Sequence, residues 1–262
     1  MADDMHAPPE NGARVRLNGA AASPRAGFLE RTFTRLFMRP ALVVGVTELS
    51  RNFRLIDFEG EPLKECDWSP GDKVQVKLDG GMITRTYTPI GWNRAKGRTL
   101  FLAYCHGAGP GSEWARRVVP GDERQFFGPR SSLSLEGLAS STILFGDETS
   151  FALALALARQ PGANPFAEQR YVFEVSDRAE AASVLDLLEL PDPILVERRA
   201  DDGHLPEIAD IVVDLMQPAS DFVLSGKASS IQHVGRTLKA HGVETRRLRA
   251  KAYWAPGKTG LD

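Results

Sequence analysis

Apolar and polar positions follow two different rhythms along the chain. Between residues 41 and 104, short runs rich in β-branched and aromatic residues are separated by turn signals such as Glu59-Gly60 and Ser69-Pro70-Gly71-Asp72. Short strands at such close spacing are typical of an antiparallel barrel. With a further strand at 123–127, the pattern predicts an antiparallel six-stranded barrel within residues 28–135, whose other strands cover 41–49, 52–58, 73–78, 82–88 and 99–104.

From about Ser140 onward, apolar strands alternate with helical segments. The strands are predicted at 141–145, 170–175, 193–197, 221–224 and 247–253, and the helices at 150–159, 179–190, 206–216 and 229–241. Such alternation predicts a parallel sheet, here within residues 136–262. Parallel sheets of this kind bind ligands beyond the carboxyl ends of their strands, so the turns at 146–149, 175–178 and 225–229 are candidate binding sites.

Composition restricts the kinds of partner. Of the 262 residues, 42% are hydrophobic and 25% are charged, and no apolar run approaches the roughly 20 residues that a membrane-spanning helix needs. The formal net charge of −2 gives no general attraction to nucleic acid. Two cysteines, Cys66 and Cys105, are too few for an iron–sulfur cluster or a structural zinc site, so we predict no metal site.

The first 27 residues are rich in alanine, glycine, proline and asparagine without apolar periodicity. We predict that they form a disordered tail, and we assign them no function. They lack the apolar core of a signal peptide, which favours the cytoplasm. We expect a monomer.

Candidate chemistry begins at Arg85-Thr86-Tyr87-Thr88-Pro89, where a predicted strand ends at a proline. A guanidinium can pair with a diphosphate, a phenol ring can lie against a planar heterocycle, and a hydroxyl can bond the edge of that heterocycle. A flat anionic cofactor would use all three groups. The alternative is an ordinary edge strand.

A second candidate is the loop of residues 106–115, which contains three glycines. Glycine lets the backbone approach a ligand closely, and Ser112 is placed to cap a short helix that ends near Val118. Amides at a helix start favour an anion, so the segment suits a phosphate. The alternative is a plain loop followed by a capped helix.

The usual dinucleotide fingerprint G-x-G-x-x-G is absent, which argues against a standard Rossmann dehydrogenase. Four other stretches stand out: Arg85-Thr86-Tyr87-Thr88-Pro89; His106-Gly107 with Gly109-Pro110-Gly111-Ser112-Glu113-Trp114-Ala115; Gly146-Asp147-Glu148-Thr149; and Gly226-Lys227-Ala228-Ser229 with Ala252-Tyr253-Trp254. Together they resemble the siderophore-interacting protein family, the FAD-dependent ferric-siderophore reductases of the ferredoxin–NADP reductase superfamily. The resemblance implies an FAD-binding barrel followed by an NAD(P)-binding domain.

The resemblance also implies residue roles. Arg85 would hold the FAD diphosphate, Tyr87 would lie against the isoalloxazine ring, and Thr88 would bond the flavin edge near N5. Tyr253 or Trp254 would screen the other flavin face. The implied catalytic residues, where flavin and nicotinamide meet, are Thr88, Asp147, Glu148 and Thr149. The implied cofactor-binding residues are Arg85, Thr86, Tyr87, Thr88, His106, Gly107, Gly109, Pro110, Gly111, Ser112, Trp114, Gly226, Ala228, Ser229 and Trp254.

The implied activity is the transfer of electrons from NADPH or NADH through FAD to a ferric siderophore, with release of ferrous iron. Local cations would steer an anionic chelate, namely Arg94, Lys96, Lys227 and Lys251; the alternative for residues 94–98 is a solvated hairpin. Arg178 would favour NADPH, to which we lean slightly, whereas Asp177 would favour NADH. Two other functions stay open: a general flavin reductase that supplies another partner, and a non-catalytic module that binds flavin or siderophore.

Two stretches depart from the family pattern. Lys227 stands where the family commonly has glutamate, in Gly-Glu-Ala. The Trp-Leu-His-like segment often found before the penultimate helix is not recognisable at 198–204. These departures bear on donor and substrate preference, not on the flavin. The histidines His204, His233 and His241 show no metal-ligand spacing and are interpreted as structural or exposed.

Overall fold

A computed structural model describes residues 38–79, 83–160 and 168–258. The predicted tail at 1–27 lies outside these residues, as does Met82 at the start of one predicted strand. The described residues belong to one compact unit, Phe37–Asp262. None of the helices in them is both long and apolar enough to cross a membrane.

Seven antiparallel strands form the sheet of the first half. It was expected to have six, because the sequence interpretation missed the strand that begins at Pro89. The order across the sheet is β4-β3-β7-β1-β2-β6-β5. The strands are β1 (Arg39–Glu48), β2 (Phe53–Glu59), β3 (Lys73–Lys77), β4 (Thr84–Tyr87), β5 (Pro89–Asn93), β6 (Arg98–Tyr104) and β7 (Glu123–Arg130).

The two edge strands of this sheet, β4 and β5, are consecutive in sequence. Only Thr88 separates Tyr87 from Pro89, so the opposite edges approach within about 8 Å, the length of two Cα–Cα steps. The sheet therefore curls into a barrel. We call the junction at Thr88 the barrel seam. Pro89 does not end the strand region, because a residue without an N–H is tolerated at the first position of an edge strand.

The second half is a five-stranded parallel sheet in the order β10-β9-β8-β11-β12. Strands β9 and β10 follow β8 on one side of it, and β11 and β12 lie on its other side. The strand order therefore reverses between β8 and β11. Ligands of open parallel sheets bind at such a switch point. The strands are β8 (Ser141–Asp147), β9 (Glu168–Val175), β10 (Ile194–Glu197), β11 (Asp221–Lys227) and β12 (Leu248–Trp254).

Among the described residues, five α-helices accompany the sheets: α1 (Pro110–Arg117), α2 (Phe151–Ala158), α3 (Arg178–Leu187), α4 (Leu205–Asp214) and α5 (Ala228–Ala240). The same residues contain 3₁₀ turns at Glu61–Glu65, Glu148–Ser150 and Thr245–Arg247. Helix α2 follows the expected small-residue segment and is buried along nearly its whole length, which explains its continuous run of alanine, leucine and phenylalanine.

The capping prediction for Ser112 is wrong. Helix α1 begins two residues earlier, at Pro110, and its N-cap residue is Gly109 without a side-chain cap. Proline suits the first helical position because its fixed φ is helical and it has no N–H to leave unpaired. The Ser112 hydroxyl instead donates to the carbonyl oxygen of His106, at 2.5 Å. It closes the loop before the helix.

A single apolar cluster joins the two halves. Phe53, Ile90 and Leu102 of the barrel belong to the same buried cluster as residues of α2 and the parallel sheet. The rings of Phe53 and Phe151 stack, with centroids 5.5 Å apart. A polar clamp lies beside them: Glu180 of α3 accepts hydrogen bonds from the hydroxyl of Ser50 (2.7 Å) and from the backbone and side-chain amides of Asn52 (2.9 and 3.0 Å). The predicted division at residue 135 therefore runs through a shared core.

Candidate functional site

Arg85 lies across the start of helix α1. A Cβ at Gly111 would approach Cγ of Arg85 to 3.0 Å, so glycine is what lets the arginine side chain lie over the first helical turn. The Nη1 atom of Arg85 donates to the carbonyl oxygen of Thr84, at 2.7 Å. First-turn amides have no acceptor within the helix. A guanidinium beside these amides is a suitable place for a diphosphate.

The loop that leads into α1 presents its backbone to solvent. His106, Gly107, Ala108, Gly109 and Pro110 are all exposed, and a Cβ at Gly107 or Gly109 would meet no atom within 4 Å. Arg116 supports the loop from behind, because its Nη1 donates to the carbonyl oxygen of Gly107 (2.9 Å) and its Nη2 to that of Cys105. The open, supported backbone forms a cradle that fits a phosphate-bearing cofactor.

Arg116 was missed in the sequence because nothing distinguishes it from its neighbour Arg117. The His106 ring stacks on the Tyr104 ring, with centroids 5.1 Å apart. The loop therefore carries an aromatic pair at its start and a glycine-rich backbone after it.

Tyr87 contacts the barrel core with its ring. Its centroid lies 5.7 Å from that of Phe101, nearly parallel, and 5.6 Å from that of Trp114. Burial raises the pKa of Tyr87, which stays a neutral phenol. Trp114 is 6% exposed and belongs to the barrel core. Arg85 and Tyr87 both lie beside α1, as expected for alternate strand residues, and Thr86 is exposed.

Thr88, at the barrel seam, faces the end of the last strand. It is 9% exposed, and its hydroxyl lies 3.3 Å from the hydroxyl of Tyr253 on β12. Burial raises the pKa of Tyr253 to about 12, so the phenol is protonated and can donate to Thr88. The seam of the barrel and the carboxyl end of β12 thus meet through two side chains.

Asp147 ends β8, at the switch point, and is fully buried. One carboxylate oxygen accepts from the backbone N–H of Thr149 (2.9 Å) and from its hydroxyl; the other accepts from Nε1 of Trp254 (2.7 Å). The side chain passes over Gly226, where a Cβ would come within 2.6 Å of the carboxyl carbon and where φ is +102°. Asp147 also forms a capping box with Ser150.

Glu148 points in another direction, into a network at the carboxyl ends of β8, β9 and β10. It accepts from the Tyr104 hydroxyl (3.2 Å), from the backbone N–H of Ser176 and from Nη2 of Arg198 (2.8 Å). Burial alone would raise the pKa of Glu148, but the Arg198 guanidinium and its hydrogen bond outweigh burial and lower it. Glu148 is therefore an ionised, paired carboxylate rather than a second helix cap.

A second buried carboxylate, Glu174 on β9, continues this network. Its Oε2 atom accepts from Nε2 of His204 (2.7 Å) and from the hydroxyl of Ser230 (3.0 Å), and Nε of Arg198 lies 3.9 Å from Oε1. Nδ1 of His204 accepts from the backbone N–H of Arg199 (3.1 Å), so the ring proton is on Nε2. His204 is a fully buried packing residue, as interpreted. Sequence offered no sign that residues 30 positions apart would pair.

The two departures from the family pattern are in contact. Nζ of Lys227 lies 2.6 Å from a carboxylate oxygen of Asp202, and Lys227 is only 9% exposed. Lys227 is the N-cap residue of α5, whose first residues are Ala228, which is half-buried, and Ser229, which is exposed. Lys227, the cation of one departing segment, is thus paired with Asp202, a carboxylate of the other segment, 198–204.

The remaining candidate cations lie apart. Arg94 bonds the carbonyl oxygen of Lys64 (2.9 Å) and pairs with Asp67, and exposed Lys96 lies in the same hairpin. Lys251 lies on β12, beside Ser225 of β11. Within residues 38–79, 83–160 and 168–258, no hydrogen bond or ion pair joins these cations to one another or to Lys227. Arg94 and Lys96 lie on the hairpin between β5 and β6, and Lys227 and Lys251 lie on neighbouring strands of the parallel sheet.

After β9, the adjacent residues Asp177 and Arg178 have different surroundings. The Asp177 side chain caps α3 by accepting from the backbone N–H of Glu180, at 2.9 Å. Arg178 is the first residue of that helix and is exposed. In the part of the chain that the structure describes, no ion pair engages the Arg178 guanidinium. No group of three or more potential metal ligands occurs among the described residues either.

Comparison with known families decides the cofactor. Residues 75–133 match the family model described as the siderophore-interacting FAD-binding domain. This segment is similar to the FAD-binding domain of that family. The segment contains Arg85, Tyr87, Thr88 and the loop before α1, so FAD fits the cradle that these residues form. The resemblance seen in the sequence is confirmed for residues 75–133, the part of the chain that contains Arg85, Tyr87, Thr88 and this loop. No curated protein matches the chain.

Solved structures extend the likeness to the fold of both halves. The siderophore-interacting protein SipS from Aeromonas hydrophila is 21% identical, with a TM-score of 0.70 over 85% of this chain and 93% of that one. A siderophore utilization protein from T. fusca is also 21% identical, with a TM-score of 0.68 over 86% and 95%. A ferredoxin NADP+ reductase from Neisseria gonorrhoeae, solved with bound FAD and NADP, is 14% identical, with a TM-score of 0.68 over 83% and 99%. The FAD-binding domain therefore belongs to a ferredoxin-reductase-like fold, as predicted.

Proposed function

We propose that this protein is a flavin-dependent reductase that takes electrons from a reduced pyridine nucleotide and delivers them to a ferric siderophore, which then releases ferrous iron. The observation that carries the proposal is the meeting of Thr88 with Tyr253. It brings the seam of an FAD-binding barrel to the carboxyl edge of a parallel sheet, where nucleotides bind in folds of this type.

When bound, FAD accepts an electron pair from the nucleotide and releases electrons singly to ferric iron. The chain's residues bind and orient. Arg85 and the amides at the start of α1 hold the diphosphate, and Thr88 presents its hydroxyl to the flavin edge. Tyr87 stays protonated beside the barrel core, where its ring borders the flavin site.

For the nucleotide, the geometry supports NADPH over NADH. Asp177 is committed to capping α3, whereas the exposed guanidinium of Arg178 is free of ion pairs with the described residues. A cation at the end of the second strand of such a sheet suits a 2′-phosphate. Ionised Glu148 is neutralised by Arg198, so it does not repel the nucleotide as a bare carboxylate would.

For the substrate, exposed Lys96 and half-buried Lys251 support an anionic chelate, and reduction itself requires no protein ligand to iron. Ferrous iron binds hard oxygen donors less tightly than ferric iron does, so reduction loosens the chelate. Lys227 is paired with Asp202. It therefore stabilises the edge of the sheet and does not bind the substrate.

An anaerobic visible spectrum of the purified protein tests the proposal. NADPH, NADH and a ferric siderophore with a ferrous trap are added in turn. We expect flavin bands that bleach with NADPH and return as the ferrous complex appears. A flavin that neither nucleotide bleaches would contradict the proposal in favour of a binding module. Bleaching that a chelate never reverses would favour a general flavin reductase with another acceptor.

A further inference from the structure

Two successive residues at the end of β12 are held by different halves of the molecule. Tyr253 contacts Thr88 at the barrel seam, and Trp254 donates its indole N–H to Asp147 on β8. The Arg198 guanidinium lies 5.9 Å from the centroid of the Trp254 ring. The end of β12 is therefore fixed from three sides, although it is the edge strand of its sheet.

Asp147 reaches Trp254 across an intervening strand. Its side chain spans β11 at Gly226, the position where any side chain would collide with the carboxyl group. The contact thus uses three features at separate places in the sequence: an aspartate on β8, a glycine on β11 and an indole on β12. A residue whose only role was to cap the next turn would need neither Gly226 nor Trp254.

We propose that Asp147 is a positioning residue whose carboxylate latches the indole of Trp254, and with it Tyr253, against the barrel seam, and that protonation of Asp147 releases this latch. The inference rests on the proposed function in one respect, because the flavin edge at Thr88 that the latch faces is part of that function. It adds a proton-controlled residue to that site.

The hydrogen bonds show why the charge state matters. Three donors converge on Asp147: the Thr149 N–H, the Thr149 hydroxyl and the Trp254 indole N–H. A carboxylate satisfies all three. A carboxylic acid carries a proton of its own, and of the three donors only the hydroxyl can turn round to accept it. When the acid donates to the Thr149 hydroxyl, the oxygen that faces Trp254 becomes an uncharged acceptor. Its bond to the indole N–H is then weaker than the charge-assisted bond of the carboxylate, and the latch loosens.

The surrounding charges set the pH of this change. Glu148 on the following turn and Glu174 from β9 oppose ionisation, Arg198 after β10 favours it, and neutral Tyr253 faces the site from β12. Lys227, next to Gly226, is paired with Asp202. Burial, the largest cause, raises the pKa of Asp147 to about 6. The latch is closed above this pH and open below it.

Nuclear magnetic resonance of the flavin-loaded protein labelled with ¹⁵N-tryptophan tests the latch. Four indole signals are expected from the four tryptophans, and Trp254→Phe identifies the one that belongs to Trp254. Its indole proton should resonate downfield at pH 8, move upfield with a midpoint near pH 6, and exchange faster with solvent below that pH. The other three signals serve as internal references.

Two variants assign the titration to Asp147. In Asp147→Asn the Trp254 signal should hold its upfield position at every pH, because an uncharged amide oxygen accepts from the indole more weakly than a carboxylate does and does not titrate. In Thr149→Val the loss of one donor to the carboxylate should raise the midpoint by about one unit. The second variant keeps the test decisive if Asp147→Asn does not fold. Asp210→Asn, an exposed carboxylate on α4, is the matched control and should leave the midpoint unchanged.

A Trp254 signal that is constant from pH 5 to 8, or a midpoint that Thr149→Val leaves in place, overturns the proposal. Neither result requires nucleotide or siderophore, so the latch can fail while the reductase stands. A protein that shows the titration but no flavin bleaching would retain the latch and lose the proposed function.

Discussion

At the scale of single residues, the proposed cofactor site depends on one arginine and one glycine. Arg85 was a candidate from the sequence alone, because a cation, a ring and a hydroxyl at a strand end suit a flat anionic cofactor. The role of Gly111 needed coordinates: only the structure shows that the glycine makes room for the arginine's own side chain. Contacts between residues that are distant in sequence carry no local pattern.

We therefore expect graded losses of FAD affinity. Arg85→Ala removes a charge-assisted hydrogen bond and should weaken FAD binding about 10- to 150-fold, and Arg85→Lys should be intermediate because it keeps charge without the planar fork. Gly111→Ala should cost about fivefold by displacing Arg85. Fluorescence titration of the apoprotein with FAD measures each. Exposed Arg246→Ala is the control, and equal affinity in Arg85→Ala would refute the assigned role.

A second prediction at this scale concerns the electron donor. Arg178→Ala should raise KM for NADPH about 10- to 100-fold, because a charged hydrogen bond to the 2′-phosphate is lost, and should leave KM for NADH unchanged. Steady-state kinetics with both nucleotides measures the difference. Arg170→Ala, which removes an exposed arginine of the preceding strand, is the matched control. A parallel rise for both nucleotides would show that Arg178 acts on something other than the 2′-phosphate.

At the scale of elements, the order and type of nearly all helices and strands followed from periodicity, and the errors have local causes. Pro89 was interpreted as a stop, yet it begins β5 because an edge strand tolerates a residue without an N–H. The buried charges were not predictable. Glu174 on β9 meets His204 and Ser230 only because three elements converge, and Lys227 meets Asp202 for the same reason.

The Lys227–Asp202 pair makes a prediction about two elements, the end of β11 and the turn before α4. Lys227→Glu places like charges at a 2.6 Å contact and should destabilise the fold by about 1–3 kcal/mol, whereas Lys227→Glu with Asp202→Lys should recover most of the loss. Urea unfolding of wild type, both single variants and the double variant measures the coupling. Additive effects would mean that the ion pair does not stabilise this turn.

At the scale of the whole molecule, the two halves share a core. Phe53 of the barrel stacks on Phe151 of α2 within one buried cluster, and Glu180 clamps α3 to the turn between β1 and β2. Apolar alternation along each strand predicted the two separate interiors. It could not predict the contact between them, because a residue buried between halves looks the same in sequence as one buried within a half.

From this shared core we expect one cooperative unfolding transition. Far-ultraviolet dichroism, tryptophan emission and release of FAD should share one midpoint. Phe151→Ala should lower all three together, by about 3–5 kcal/mol or roughly 6–20 °C. Phe222→Ala, a buried phenylalanine inside the parallel-sheet half, is the matched control and should also shift FAD release. A barrel that keeps FAD after the parallel sheet has melted would refute this coupling.

The barrel seam gives the fold an unusual kind of closure. Strands β4 and β5 are opposite edges of one sheet, and the backbone at Thr88 joins them where other barrels have a ladder of hydrogen bonds. Curvature here is imposed by a covalent tether one residue long. A circular permutant opened at that tether keeps every strand pairing that holds β4 to β3 and β5 to β6, but its sheet is held rolled by side-chain packing alone, such as that of Tyr87 on Phe101. The shape of the cofactor's site thus depends on chain connectivity at a single amino acid as well as on the barrel core.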